Sequence, residues 1–271
     1  MNNKTQYEPK IIIGGIANGK ETQAFFDKLE NNTNKNFDEY IILYIDFLGM
    51  KDRIMSNKSY DTLQILKFLL YNTEGVTKYI CHTNRIRNFN IKVFSDNVII
   101  AQRIDSQTIS EQIIGIINVA WSLQFWALLQ FGFMMRGGIT AGELFIDNDI
   151  VWGTGLVEAY QLESNTAVFP RVLVSKEIIS LYDNNNNKAI NIHAFLNKDQ
   201  DKMTYVDYLS ACPNITSIPI ISERLKEITQ MYVNSPEKVK QKINWTIRYF
   251  NNYCSRFIDR GDYEAFRLEL I

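Results

Sequence analysis

The stretch Tyr40–Phe47, Tyr-Ile-Ile-Leu-Tyr-Ile-Asp-Phe, constrains the fold more than any other part of the chain. It is apolar at all but one position and does not alternate, so the strand it forms must be covered on both faces. Such a strand belongs in the middle of a sheet. The exception is Asp46, placed just before Phe47-Leu48-Gly49. A carboxylate in that position is costly unless it finds a partner. It can cap a helix starting near Met50, or it can bind a cation.

The pattern on either side fills in the sheet and its cover. Tyr60 to Tyr79 has helical spacing, with Leu63, Leu66, Phe68, Leu69 and Val76 as its apolar stripe. Ile91–Phe94 and Val98–Gln102 are short strand-like runs joined through Ser95-Asp96-Asn97, a tight hairpin. A long apolar helix follows from about Ser110 to Phe131. Met134–Ile146 and Ile150–Trp152 then form a second hairpin around Asp147-Asn148-Asp149. A helix over Gly155–Ser164, a strand over Arg171–Val174 and a helix from Ser175 complete the series. Asp183–Asn187 is a polar loop, and Thr204–Leu209 is a last strand. Ser222 to Phe257 is helical and broken at Ser235-Pro236, which predicts two helices.

This order is not the strict alternation of a doubly wound sheet. It predicts an α+β fold, an antiparallel sheet with helices packed on one side. The chain divides into a polar, Asn-rich arm over residues 1–37, a core domain over 38–210 and a helical extension over 211–271.

Composition narrows the partners. The 271 residues carry 29 Lys+Arg against 30 Asp+Glu, so no global basic field points to nucleic acid or to an anionic membrane. Ile113–Phe133 is long enough to suggest a membrane segment, but Asn118, Ser122, Gln124 and Gln130 interrupt it and basic flanks are missing. A buried helix is expected instead. Cys81, Cys212 and Cys254 form no Cys-x-x-Cys pair, and His82 and His193 lie far apart, so neither zinc nor a disulfide framework is expected. A reducing, cytoplasmic setting fits that usage.

Asp46 and Asp96 stand out by position. In a sheet of this order, the end of the first strand and the tip of the next hairpin lie side by side. Two carboxylates there suit Mg²⁺ or Mn²⁺ and, through them, a triphosphate. The plainer readings are a helix cap for Asp46 and an ordinary turn residue for Asp96.

Four segments in order carry a resemblance: Ile45–Gly49, Phe94–Asn97, Arg136–Glu143, and Trp152–Gly155 running on to Leu162-Glu163-Ser164. Over about residues 40 to 208, the set resembles the class III adenylate/guanylate cyclase catalytic domain. Gly153–Ser164 and Lys202–Leu209 look more narrowly like the bacterial pyrimidine cyclases of the Pycsar antiphage system. The resemblance implies a ferredoxin-like βαββαβ core. It implies two divalent metal ions, Mn²⁺ or Mg²⁺, held by Asp46, Asp96 and the Phe47 carbonyl. Leu48, Gly49 and Met50 would offer backbone N–H groups to the phosphates, in place of the absent P-loop motif. Arg136, Arg171 and Lys202 are the candidate cations for the triphosphate, each with a surface charge as the alternative.

The chain also departs from that pattern. Purine cyclases carry an Asn and an Arg on the helix before Leu-Glu-Ser, where this chain has Val157 and Gln161. Lys92 matches a base-selecting position, but the partner position is Ile150, with Asp149 adjacent. That tilts the base away from adenine, with an exposed strand residue as the alternative reading of Lys92; the Pycsar resemblance implies a pyrimidine, UTP ahead of CTP. Trp152 and Tyr160 are candidates to stack on a base, or core aromatics.

The resemblance further implies a head-to-tail homodimer, to which Phe131–Met135 would contribute either contact or core. It implies a uridylate cyclase making cyclic UMP for antiviral defence, with a separate cyclic-nucleotide-binding effector downstream. The alternatives are a cytidylate cyclase, a purine cyclase with unusual helix residues, and a non-catalytic dimerising nucleotide-binding relative. The hairpin signature of diguanylate cyclases is absent.

Overall fold

The computed structural model describes residues 37–185, 191–209, 217–257 and 265–271. The N-terminal arm up to residue 36 lies outside these residues, as do Cys212 and Asn186 and Asn187 of the expected polar loop.

Strand β1 (Asp38–Phe47) lies between β3 (Asn97–Arg103) and β4 (Met135–Ile146), antiparallel to both, and β2 (Asn90–Phe94) pairs with β3. Helices α1 (Met50–Ile54) and α2 (Ser59–Asn84) separate β1 from β2, and α3 (Ile109–Phe131) separates β3 from β4. The strand order β2-β3-β1-β4 is that of a ferredoxin-like βαββαβ core, as expected. Beyond β4, the sheet continues through β6 (Val172–Val174), β8 (Thr204–Val206) and β7 (Leu196–Lys198). The β4–β6 pair is parallel, so the sheet is not wholly antiparallel. Strand β7 had no apolar run to announce it. The last strand is also shorter than expected, with Tyr208 and Leu209 already in a turn.

One face of β1 presents Ile41, Leu43, Ile45 and Phe47 to a core shared with Leu66, Leu69 and Ile80 of α2 and Ile113 and Ile116 of α3. Burying each such side chain contributes roughly 1.5–3 kcal/mol, which fixes the register. A slip by one residue would turn Asp46 into that layer. Helix α3 has the length and apolar character of a membrane span, but 72% of that window is buried inside the fold, as its polar interruptions predicted.

The expectation of helices on one side only is corrected here. Helix α4 (Thr154–Gln161) covers the other face, where Ile42, Ala101, Leu144 and Ala159 make a small core of their own. Two glycines allow this contact. A Cβ on Gly142 would stand 2.9 Å from Gly155 Cα, and one on Gly155 would stand 2.5 Å from Ile42 Cδ1. The helix and strand backbones are too close for any side chain between them.

Helix α5 (Lys176–Asn185) extends through Asp183–Asn185, which the composition had suggested as loop. The predicted C-terminal pair is present as α6 (Ser217–Tyr232) and α7 (Glu237–Phe257). Their Leu225, Ile228, Ile243 and Phe250 share a second core with Phe125 and Leu128 of α3 and Leu173 and Tyr205 of the sheet. This second core seats α7 beside the end of β1.

Candidate active site

The C-terminal end of β1 brings the two aspartates together. Asp46 is in register with Asn97 on one side and Arg136 on the other. The Phe47 N–H donates to the Asp96 carbonyl at 3.2 Å, which ties the β2–β3 turn to the strand end. Asn97 braces this turn: its Nδ2 lies 3.5 Å from Asp96 Oδ1, and its Oδ1 accepts from the Tyr44 hydroxyl at 2.8 Å. Ser95, at φ 56°, makes the reversal tight enough to hold Asp96 there.

The surroundings of Asp46 are charged and partly dry. Arg136 Nε donates to Asp46 Oδ2 at 3.0 Å and lies 2.6 Å from Glu163 Oε1. Glu163 sits in a π-helical turn, Leu162–Thr166, and is 2% exposed. Burial pushes its carboxyl up to about 7, against the Arg136 charge and helped by the charge on Asp46. Burial also raises Asp46, the Arg136 hydrogen bond and charge lower it, and the Asp96 charge raises it again. Tyr44, among the same acids, is pushed up to about 12, first by burial and then by Glu163 and Asp46.

Lys242 of α7 completes this group. It is half-buried, and burial followed by the Arg136 charge lowers its ammonium below the ordinary lysine range. Nothing in the sequence near Lys242 marked it. It lies in a mixed run of charges on an amphipathic helix, and only the packing of α7 carries it to Asp46.

The candidate phosphate turn is in part already engaged. The Leu48 N–H donates to the Met134 carbonyl at 2.9 Å, and the Phe47 N–H is held by Asp96. Leu48 therefore does not present a free N–H, contrary to expectation. Gly49 begins α1 at φ 79°, a left-handed conformation that glycine adopts without strain. Met50 is 3% exposed and anchors the turn in the core. Phe47 is buried edge-on against Phe133. Phe133 and Met135 are core residues, 4% and 2% exposed.

The other candidate cations lie elsewhere. Arg171 is fully buried, with its guanidinium held by Asp199 and Asp201 and flanked by Phe169, Tyr205 and Trp245. It is neither of the two things the sequence offered, a triphosphate cation or a surface charge, since its charge is committed to the two aspartates. Lys202 is exposed in the β7–β8 turn, at φ 65°. Strand spacing separates β8 from β1 by three steps, about 14 Å across the sheet.

Lys92 donates to the Asn148 carbonyl at 3.0 Å, so it meets a peptide oxygen of the loop after β4 rather than an acid side chain. The β4–β5 hairpin has its second strand at β5 (Val151–Trp152). Ile150 and Trp152 are 53% and 69% exposed, and Tyr160 is 49% exposed, so the two aromatics are not core. Val157 and Gln161 stand one helical turn apart on the exposed side of α4.

The donor set suits a hard divalent cation. Asp46 and Asp96 offer two carboxylates, the Asp96 charge disfavours the ionised form of Asp46, and a cation between them would relieve that. Among the described residues, no group of three or more His, Cys, Asp or Glu side chains forms a metal cage. A metal here would therefore depend on backbone or substrate oxygens for the rest of its shell.

No family model matches the chain, and no curated protein matches it. Solved structures with some similarity include the guanylyl cyclase domain of the RhoGC fusion protein from Blastocladiella emersonii. It is 9% identical, with a TM-score of 0.44, over 62% of this chain and 94% of that one. The adenylyl cyclase CyaB from P. aeruginosa is 15% identical, with a TM-score of 0.38, over 63% and 94%. A class III adenylyl cyclase-like ATP-binding protein from Pseudomonas aeruginosa is 13% identical, with a TM-score of 0.43, over 72% and 49%. At such scores the likeness is a similarity and no more, and the chemistry has to come from this chain's own residues.

Proposed function

We propose that the chain is a nucleotidyl cyclase that converts a ribonucleoside triphosphate to its 3′,5′-cyclic monophosphate and pyrophosphate. The observation that carries this reading is the meeting of Asp46 and Asp96 at the end of β1, locked by the Phe47 N–H to Asp96 carbonyl bond. Asp46, Asp96 and the Phe47 carbonyl are the groups that would hold Mn²⁺ or Mg²⁺. Bound there, such ions make the ribose 3′ hydroxyl more acidic and neutralise the triphosphate. The 3′ oxygen attacks the α-phosphorus in line, and pyrophosphate leaves. Arg136 orients the Asp46 carboxylate and keeps Glu163 as its counter-charge.

A pyrimidine base, uracil ahead of cytosine, is the finer reading. It is supported by Lys92, which meets the Asn148 carbonyl and not an acid that would complete an adenine-reading pair. A homodimer fits the exposed apolar side chains of the β2–β3 hairpin, the β4–β5 hairpin and α4, among them Phe94 at 79% and Trp152 at 69%. The antiphage signalling role, with cyclic UMP and a separate effector, extends the same reading through the resemblance to the Pycsar cyclases.

One observation favours a second reading. Val157 and Gln161 offer neither of the polar side chains that purine cyclases place on this helix, as a nucleotide-binding module without catalysis would have it. Incubation with Mn²⁺ and each of the four ribonucleoside triphosphates, with products identified by mass, separates the two. A cyclic pyrimidine monophosphate, lost in Asp46→Asn and in Asp96→Asn, is the expected result. A folded, dimeric protein that makes no cyclic product from any of the four would overturn the cyclase and favour the binding module.

A further inference from the structure

We propose that Lys242, delivered by the C-terminal helix α7, binds the polyphosphate of the substrate at the Asp46 site. The identity of that substrate rests on the cyclase reading, but the placement of the cation does not.

Helix α7 meets the residue that anchors the phosphate turn, Met134. The Thr246 hydroxyl donates to Met134 Sδ at 3.5 Å, and the Met134 carbonyl is the acceptor for the Leu48 N–H. Ile243, Thr246 and Ile247 are all 0% exposed, so this stretch of the helix is seated in the core. Lys242 precedes Thr246 by one helical turn and shares its face. The end of α6 closes on the same turn, since a Cβ placed on Gly49 would stand 3.5 Å from the Tyr232 hydroxyl. The α6–α7 pair thus packs over the strand end that carries Asp46.

Among the described residues, the Lys242 charge has no committed partner. Its field reaches Asp46, Glu163 and Arg136. Among the described residues, however, no carboxylate lies within 4 Å of its ammonium, whereas Arg136 is within 3.0 Å of both Asp46 and Glu163. Neutralising those acids is Arg136's part. A half-buried ammonium with no close counter-ion is costly to keep, and a polyphosphate arriving at Asp46 and Asp96 supplies the missing anion. Of the three cations first expected in this role, Arg136 is engaged by Asp46 and Glu163, Arg171 is held by Asp199 and Asp201, and Lys202 lies across the sheet.

The test uses the full chain and inorganic tripolyphosphate with Mg²⁺, measured by calorimetry. Lys242→Met and Lys242→Gln should each weaken binding by roughly 10- to 100-fold and flatten its salt dependence. Lys242→Arg should restore most of the affinity, and Lys238→Met, an exposed change on the same helix, should leave it unchanged. In the wild-type protein, tripolyphosphate should shield Lys242 from amine acetylation and leave Lys238 reactive. Unchanged affinity in Lys242→Met and Lys242→Gln overturns the proposal, as does acetylation of Lys242 at the same rate with and without tripolyphosphate. Losses that follow only a falling melting temperature, without rescue by Arg, mark a structural lysine and overturn it too. A wild-type protein that does not bind tripolyphosphate overturns it outright. Binding that depends on Lys242, without cyclic product from any nucleotide, upholds this proposal and removes the cyclase reading.

Discussion

Arg136 is the second residue of β4 and Arg171 immediately precedes its neighbour β6, and the Gly137 N–H donates to the Arg171 carbonyl at 3.2 Å, yet the two arginines do opposite things. Arg171 is closed in: two aspartates hold its guanidinium, Trp245 Nε1 donates to Asp199 at 2.6 Å, and three aromatic rings surround the group. Arg136 remains 23% exposed and is shared between Asp46 and Glu163, with Lys242 nearby. The first is a buried bolt between the β7–β8 turn, β6 and α7. The second belongs to a cluster whose charges are only partly matched. A cation closed in by two acids holds a fold in place, whereas one shared in a half-open cluster leaves room for a ligand's charge.

The contrast can be broken most severely at Arg171. Arg171→Met leaves Asp199 and Asp201 without their cation and should cost about 3 kcal/mol or more of stability in urea unfolding. Activity per folded molecule should be nearly unchanged. A variant that stays fully stable would show that the pair is not the bolt described here.

Glu163 sharpens the contrast through pH. Its folded-state carboxyl titrates at about 7 against an ordinary value of 4.5, so the folded state binds the proton more tightly than the unfolded one. The unfolded state therefore holds fewer protons between those values, and stability falls as pH rises through the window. Unfolding at pH 5 and pH 8 should differ by roughly 1–3 kcal/mol from this group. Glu163→Gln should remove that difference, and an unchanged pH profile in the variant would refute the assignment.

Arg136→Met should act on the site more than on the fold. Without the guanidinium that lowers it, Asp46 is held in its protonated form to higher pH and is no longer oriented. The Mn²⁺ concentration for half-maximal activity at pH 6 should rise about tenfold, with a smaller effect at pH 8. An equal effect at both values would point to orientation alone.

The smallest effect is expected at Trp245. Trp245→Phe removes one hydrogen bond to Asp199 and should cost about 1 kcal/mol, with no change in nucleotide turnover.

The sequence carried the strands and their chemistry unevenly. The apolar run of β1, the Ser-Asp-Asn turn and the β4–β5 loop were legible because burial on both faces and tight reversal leave strong local signals. Strand β7 was not legible, because Leu196-Asn197-Lys198 is short, polar and paired only through its neighbour β8. The parallel β4–β6 pairing and the placement of α4 on the far face were hidden for a related reason. The first sets Gly137 and Gly138 of β4 beside Val172 and Leu173 of β6, the second depends on close backbone approach at Gly142 and Gly155, and neither shows in any periodicity. In the site, Asp46 stood out because a carboxylate in an apolar strand needs a reason. Arg171 was misplaced because an arginine at a strand end reads alike whether it meets a ligand or two aspartates.

By itself, the sequence determined the central strand, the order of the elements up to β6 and the two aspartates, since each is a local pattern with a local physical cost. Only the tertiary structure decided which charges share a space. It brought Asp46 to Asp96 through register, set Arg136 against Glu163, closed Asp199 and Asp201 on Arg171, and carried Lys242 in from the last helix. Those pairings depend on through-space distances of a few ångströms between residues far apart in the chain, and electrostatic energy is fixed by that distance and by burial, neither of which a linear sequence contains.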